Sequence, residues 1–206
     1  MNPASLPGIL MVSMEPPASM EEEFNDWYDT EHFPQRRALP GFASASRWVC
    51  TSGWPRWTAL YDLVSMDALQ TDAYRAVSGA NSTPWSRRLL PRTMGRTRVV
   101  AVALDAAQAV AQHEPRSTCR LLAMSVRARA KDGEAQAVAG EIREKLVTRG
   151  DLQQIRWFVE NDDVLWTLAA FDTPASADVL AAQLGRPGGS GMLSFNVYAP
   201  YHRSTY

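Results

Sequence analysis

Hydrophobic and polar positions follow two rhythms along this chain. Apolar stretches of strand length stand at 8–14 (GILMVSM), 42–50 (FASASRWVC), 57–64 (WTALYDLV) and 95–104 (GRTRVVAVAL). They are rich in β-branched and aromatic residues, as strands are. Between them, Ser19 with Glu22 three residues on forms a capping-box signature, which predicts a helix running to about Phe33. A second helix is predicted over 67–77. The same order returns in the second half, with strands at 120–127, 153–160, 163–171 and 192–199. Its first helix, 133–148, sets Ala135, Val138, Ala139, Ile142 and Leu146 on one face, and its second covers 174–184. Turn signals stand at Pro40-Gly41, at Gly53, at Asn161-Asp162 and in the glycine-rich stretch 185–192.

Short sequences recur with this order. Arg47-Trp48 and Trp57-Thr58 return as Arg156-Trp157 and Trp166-Thr167, each pair separated by 109 residues. The repeat predicts that Trp48 and Trp157 occupy equivalent places, and likewise Trp57 and Trp166. The element order in each half is βαββαβ, the ferredoxin-like unit. Two helices cover one face of such a sheet and leave the other bare, and a bare apolar face of that size must find a partner. The expected fold class is therefore α+β: two tandem ferredoxin-like units whose antiparallel sheets pack into an α+β barrel. The alternative is two such units side by side, with helices at the contact. The expected boundaries are 1–105 for the first unit, 106–117 for a linker and 118–206 for the second.

The first helix carries the strongest chemical signal. With Phe24 at 0° and 100° per residue, Trp27 and Tyr28 share its buried face, Glu31 falls at about 340° and His32 at about 80°. A buried carboxylate is costly unless paired, hydrogen-bonded or facing a cavity. Glu31 thus calls for a cavity or for a cation such as Arg36, Arg37 or Arg47. Pro34 is expected to end or kink the helix near Phe33, which would set Glu31 and His32 at the mouth of a pocket between helix and sheet. On the strands, alternation places Trp57, Ala59 and Tyr61 on one face, suited to a flat aromatic ligand if that face lines the cavity. In the plainer reading, Glu31 pairs with an arginine, His32 is an ordinary packed histidine and the tryptophans are core.

Composition narrows the classes of function. At 206 residues, 46% hydrophobic and 21% charged, the chain can bury one good core or two small ones. A net charge of −1 gives no global field to draw nucleic acid or an anionic membrane. Cys50 and Cys119 form no CxxC motif, which suits a reducing compartment. No apolar run approaches the ~20 residues that span a bilayer, and the N-terminal MNPASLPG does not read as a signal peptide. A cytoplasmic protein is expected.

The stretch WYDTEHFP (27–34), followed by LPGF (39–42) and the Arg47-Trp48 strand, resembles the EthD-like branch of the dimeric α+β barrel superfamily. The resemblance is specific over 20–62. It implies a cofactor-free enzyme of isomerase, cyclase, dehydratase or oxygenase type acting on a small cyclic or aromatic metabolite. It also makes His32 the counterpart of the family's cavity-facing helix histidine. Tyr28 and Glu31 are added as candidate catalytic residues from the helix geometry, and Trp27, Arg47, Trp57 and Tyr61 as candidate ligand contacts. The second half lacks the motif, carrying Arg143, Glu144 and Lys145 instead.

Other chemistry is unsupported. There is no phosphate-binding GxxxxGK[ST] or strand-linked GxGxxG motif, no GxSxG elbow around Ser190, and no metal-ligand spacing among His32, His113 and His202. No cofactor and no metal is expected. The arginines at 87, 88, 92, 96 and 98 read as a solvated surface or as a site for an anion. Two functions follow: an enzyme in which His32 is the general acid or base, or a non-catalytic metabolite-binding or structural barrel. The expected partner is a small molecule, with no nucleic acid or membrane, in a homodimer.

Overall fold

The computed structural model describes residues 5–185, 188–189 and 191–203; Arg186, Pro187 and Ser190 of the glycine-rich stretch lie outside them. Eight strands form a closed antiparallel barrel: β1 (Gly8–Glu15), β2 (Phe42–Ser52), β3 (Trp57–Leu63), β4 (Met94–Ala103), β5 (Arg120–Arg127), β6 (Leu152–Glu160), β7 (Val164–Phe171) and β8 (Met192–Pro200). Around the barrel they run β1-β3-β2-β8-β5-β7-β6-β4. The first half thus contributes strands in the order β4-β1-β3-β2 and the second in the matching order β8-β5-β7-β6. One seam is β2 with β8, from Trp48↔Pro200 onward. The other is short, Val102↔Val159 and Ala103↔Phe158 between β4 and β6.

Strand alternation sorts the side chains into three cores. Ile9, Met11, Trp48, Leu60, Leu121, Ala123, Phe158, Leu168 and Tyr198 fill the barrel interior. Outside the first half, α1 (Glu21–Trp27) and α2 (Phe33–Arg37) cover a core that includes Phe24, Trp27, Tyr28, Trp57, Ala59, Tyr61 and Leu63. Outside the second half, α5 (Glu134–Leu146) and α6 (Ala177–Leu184) cover Met124, Trp157, Leu165, Ala169 and Phe171. The remaining helices are short: α3 (Asp72–Ala76) and α4 (Pro84–Leu89). The helix expected over 67–77 is instead a 3-10 turn, Met66–Gln70, followed by α3. Asn161 and Asp162 take φ of 51° and 63°, as their hairpin turn requires.

The constant offset of 109 does not mark equivalent positions. Trp48 points into the barrel and Trp157 points out under α5, while Trp57 points out and Trp166 packs against the interior. The pairing Trp48↔Thr58 is matched by Trp157↔Thr167, yet every side chain has changed face. The β-bulges explain this. Each half has one early in its second strand, between Phe42 and Ser44 and between Leu152 and Gln154. Aligning them makes the offset 110 on β2 and β6 (42 to 152) and 108 on β3 and β7 (63 to 171). A slip of one residue on each strand preserves the ladder and reverses the pleat. By this register Leu60 matches Leu168 and Trp48 matches Phe158, all four in the interior core.

The first helix also departs from expectation. Ser19 lies in a 3-10 turn, Ala18–Met20, and Met20 precedes α1 with no side-chain cap, so the capping box does not form. The helix does not stop at Pro34. Tyr28–His32 form a π-turn in which the Phe33 N–H reaches the Tyr28 carbonyl, and α2 continues to Arg37. Proline inside an α-helix loses an N–H and crowds the carbonyl four residues back. Widening the turn just before Pro34 accommodates both. The extra residue moves each later side chain to about its predecessor's place on the helix surface. Arg36 turns inward and is buried.

The segment joining the halves packs onto the barrel end. Ala109 is buried. The Ala111 N–H donates to Asp62 Oδ2 at 2.9 Å and the Gln112 N–H to Gln154 Oε1 at 2.9 Å.

Candidate functional site

Two places in the fold bring functional groups together. The first holds the residues singled out in the sequence, and it lies between the first-half helices and the outer face of the sheet. The π-turn gives His32 the inward place expected for Glu31. The imidazole stacks on Trp27, with ring centroids 4.5 Å apart, and meets Tyr28 edge-on at 5.2 Å. His32 Nδ1 is buried and has no hydrogen-bond partner among the described residues. Burial pushes the imidazole pKa down to about 3, helped by the Arg36 and Arg47 guanidinium charges, so the ring is neutral at physiological pH. Beside it, burial raises the Tyr28 hydroxyl above its ordinary range, although Arg47 opposes this, and raises Tyr61 further. The Tyr61 hydroxyl has no partner in good geometry.

Glu31 takes no part in this cluster. It turns towards α4, where the Thr83 hydroxyl donates to Oε1 at 2.5 Å. Thr83 in turn caps α4 by accepting the Ser86 N–H at 3.1 Å. Of the two residues expected beside His32, Tyr28 is there and Glu31 is not, and among the described residues Glu31 has no arginine partner. Arg47 is already occupied. It donates to Asp29 and, at 2.8 Å, to Asn25 Oδ1, and it stacks over Tyr28 and Tyr201 at 4.3 and 4.5 Å. Trp27, Trp57 and Tyr61 lie on the helix-covered face and not in the barrel, at 0%, 6% and 1% exposure. The flat ligand slot imagined between Trp57 and Tyr61 is occupied by the helix.

The second place is the end of the barrel where β2, β5 and β6 begin and β3 and β7 end. A cavity of about 310 Å³ opens there, walled by Trp48, Leu60, Leu121 and Leu168 and rimmed by Arg37, His113 and Glu114. A charged pair stands on its wall near the strand ends. Arg156 Nη1 donates to Asp62 Oδ1 at 2.7 Å and to the Ala109 carbonyl at 3.0 Å. Asp62 Oδ2 accepts the Ser44 hydroxyl at 2.7 Å besides the Ala111 N–H. Asp62 and Arg156 are 1% and 4% exposed. A shallower groove continues from this mouth past Ser46 and Arg47 to Tyr201 and Arg203, along the part of β2 that β8 leaves unpaired.

Asp62, Arg156, Gln154 and His113 were not among the sequence candidates. A signal for two of them was present. Asp62 in WTALYDL and Arg156 in QQIRWFV are charges set inside otherwise apolar strands, and such charges need a partner or a cavity. Among the described residues no group of three or more His, Cys, Asp or Glu side chains could hold a metal ion. Among them, too, no helix is long and apolar enough to cross a membrane. The five arginines between 87 and 98 are exposed, and Arg88 pairs with Glu23.

No family model and no curated protein matches this chain. Solved structures do. An anthrone oxidase-like protein aligns over 96% of this chain and 92% of its own, with 8% identity and a TM-score of 0.58. A chlorite dismutase variant from Candidatus Nitrospira defluvii aligns over the same shares, with 11% identity and a TM-score of 0.59. A heme-binding protein from Thermus thermophilus covers 96% and 92%, with 13% identity and a TM-score of 0.57. At such identities the likeness establishes the α+β barrel fold and nothing of the activity.

Proposed function

We propose that this protein is a small-molecule-binding α+β barrel and that its ligand occupies the cavity at the barrel end. The observation that carries this reading is an apolar-walled cavity of about 310 Å³ over a buried Asp62–Arg156 pair. Small-molecule sites span ~300–1,000 Å³ and combine apolar walls with a few convergent polar groups. The exposed groups at the rim, Arg37, His113 and Glu114, leave the cavity open to entry. The two halves, matched in strand order, are read as duplicated ferredoxin-like units, and the working assembly as a homodimer, which light scattering would test. The site reading is tested by Ala170→Phe, which places a ring into the cavity from β7. Ligands found by a thermal-shift screen of the wild-type protein should no longer shift its melting temperature. Equal shifts in the variant would place binding elsewhere.

A second reading is an enzyme acting through His32. One observation favours it: His32 Nδ1 is buried without a partner among the described residues, close to Arg36 and Arg47, and the Tyr61 hydroxyl nearby has only a poorly aligned contact with Tyr28. Buried polar groups left unpaired call for an explanation, and a substrate is one. With a pKa near 3, however, His32 is a weak proton acceptor at neutral pH. Its role would be that of a neutral hydrogen-bonding group. His32→Gln separates the two readings, because binding at the barrel end should survive that change. A heme, as bound by one structural neighbour, does not fit these residues. A heme iron takes an axial protein ligand, commonly histidine, whereas the polar groups of the cavity wall are Asp62, Arg156 and Gln154 and His113 stands exposed at the rim.

A further inference from the structure

We infer that the barrel-end cavity is selective for a compact monocarboxylate with a short apolar body, its carboxylate held by the free edge of the Arg156 guanidinium. This rests on the reading of that cavity as the ligand site. A guanidinium carries five N–H donors in a planar fork and no acceptor. At Arg156, Nη1 is committed to Asp62 and to the Ala109 carbonyl. Nη2 and Nε make no hydrogen bond among the described residues, although the side chain lies on the cavity wall and the residue is only 4% exposed. Asp62 already balances its charge, so what Arg156 offers is the two unused donors on its outer edge, and a carboxylate matches them side by side.

The other polar groups beside Arg156 are largely engaged. Asp62 accepts from Arg156, Ser44 and Ala111. Both ends of the Gln154 amide are used, Oε1 by the Gln112 N–H and Nε2 by the Val110 carbonyl at 3.0 Å. A ligand bringing donors, such as an amine, finds the neighbouring acceptors mostly engaged. A ligand bringing acceptors finds the Arg156 edge. Arg37 at the rim makes no hydrogen bond or ion pair among the described residues, and it adds a second cation near the opening. Glu114 lies at the same rim but is exposed, where water screens its charge. Level with Arg156 and deeper in the barrel, Leu168, Leu60 and Trp48 offer apolar surface, with Leu121 beside Ala170, which suits a short hydrocarbon or ring.

The test is calorimetric titration of the full chain with benzoate, benzamide and benzyl alcohol, which share a ring and differ in charge and donors. Benzoate should bind at least tenfold more tightly than either neutral probe. Arg156→Lys, which keeps a cation for Asp62 and loses the fork, should weaken benzoate at least tenfold with circular dichroism unchanged. If that variant does not fold, the wild-type probe series decides alone. Equal binding of benzoate and benzamide would overturn the carboxylate assignment while leaving the cavity as the site, as would benzoate binding unaffected in a folded Arg156→Lys. Benzoate binding unchanged by Ala170→Phe, or no binding of any probe, would overturn the site itself.

Discussion

Asp62 on β3 and Arg156 on β6 meet inside the barrel end, Oδ1 to Nη1 at 2.7 Å, and tie the first four strands to the last four. Both are almost fully buried. Removing one member of such a pair leaves an uncompensated charge in the interior and costs about 3–5 kcal/mol. Asp62→Ala should lower the unfolding free energy by about that amount, read from urea denaturation. The double variant Asp62→Ala with Arg156→Leu should be less damaged than the sum of its parts, because it leaves no orphan charge. Additive losses would mean that the pair is not coupled.

Thr83 serves two elements at once, capping α4 and donating to Glu31. Thr83→Val keeps the shape and loses both bonds. A lost N-cap costs about 0.5–2 kcal/mol, and a carboxylate left without its donor adds to that. The expected urea midpoint is clearly lower for Thr83→Val and close to wild type for Thr83→Ser. Equal midpoints for wild type and the valine variant would remove Glu31 from the account of stability.

His32 provides a pH signature. Its folded pKa of about 3 lies below the ordinary value of 6.5, so the unfolded chain binds the extra proton between those two values. Stability contributed by the neutral ring is fully present above pH 6.5 and is lost progressively as the pH falls towards 3. At its steepest a single proton gives a slope of about 1.4 kcal/mol per pH unit. Chemical denaturation between pH 7 and 4 should show a steeper loss for wild type than for His32→Phe. Parallel curves would contradict an enclosed neutral histidine.

The paired tryptophans should behave differently. Trp57, 6% exposed and 4.8 Å from the Tyr201 ring centroid, belongs to the core under α1. Its replacement by alanine should cost about 3–5 kcal/mol. Trp166 is only half-buried, with its indole N–H on Glu160 at 2.9 Å, and its replacement should cost less. Trp48→Ala enlarges the ligand cavity and should change the range of ligands bound, whereas Trp157→Ala, outside the barrel under α5, should not.

Strands and the two long helices of the second half were legible because burial on one face imprints an alternation or a 3.6-residue period on the sequence. The face of each strand was not. Arg-Trp and Trp-Thr recur at a constant spacing, yet the bulges near Phe42 and Leu152 place the true register one residue away on each strand. Nothing in Arg47-Trp48 or Arg156-Trp157 shows which member points inward. The inward turn of His32 was legible only in part, because a regular 3.6-residue wheel assigns that place to Glu31. The deciding feature is the widened turn before Pro34. The barrel-end site was hidden for a different reason. Much of its polar wall is held by main-chain groups of 109–112, and these carry no side-chain pattern to read.

Rotation of one half onto the other about the barrel axis carries β1 to β5, β2 to β6 and β3 to β7 in the ring of strands. By the bulge-aligned register it carries Asp62 to Ala170 and Ser46 to Arg156. In a barrel made of two identical chains, every contact across that axis is made twice, so an acid set against a base of the other half has a second copy on the opposite side. A single chain is free of that constraint. It can set an acid from one half against a base from the other and lay the joining segment across one side of the opening. Asp62 and Arg156 form a single pair with no counterpart, since the matching positions are Ala170 and Ser46, and that asymmetry is open to the barrel because both halves are parts of one polypeptide.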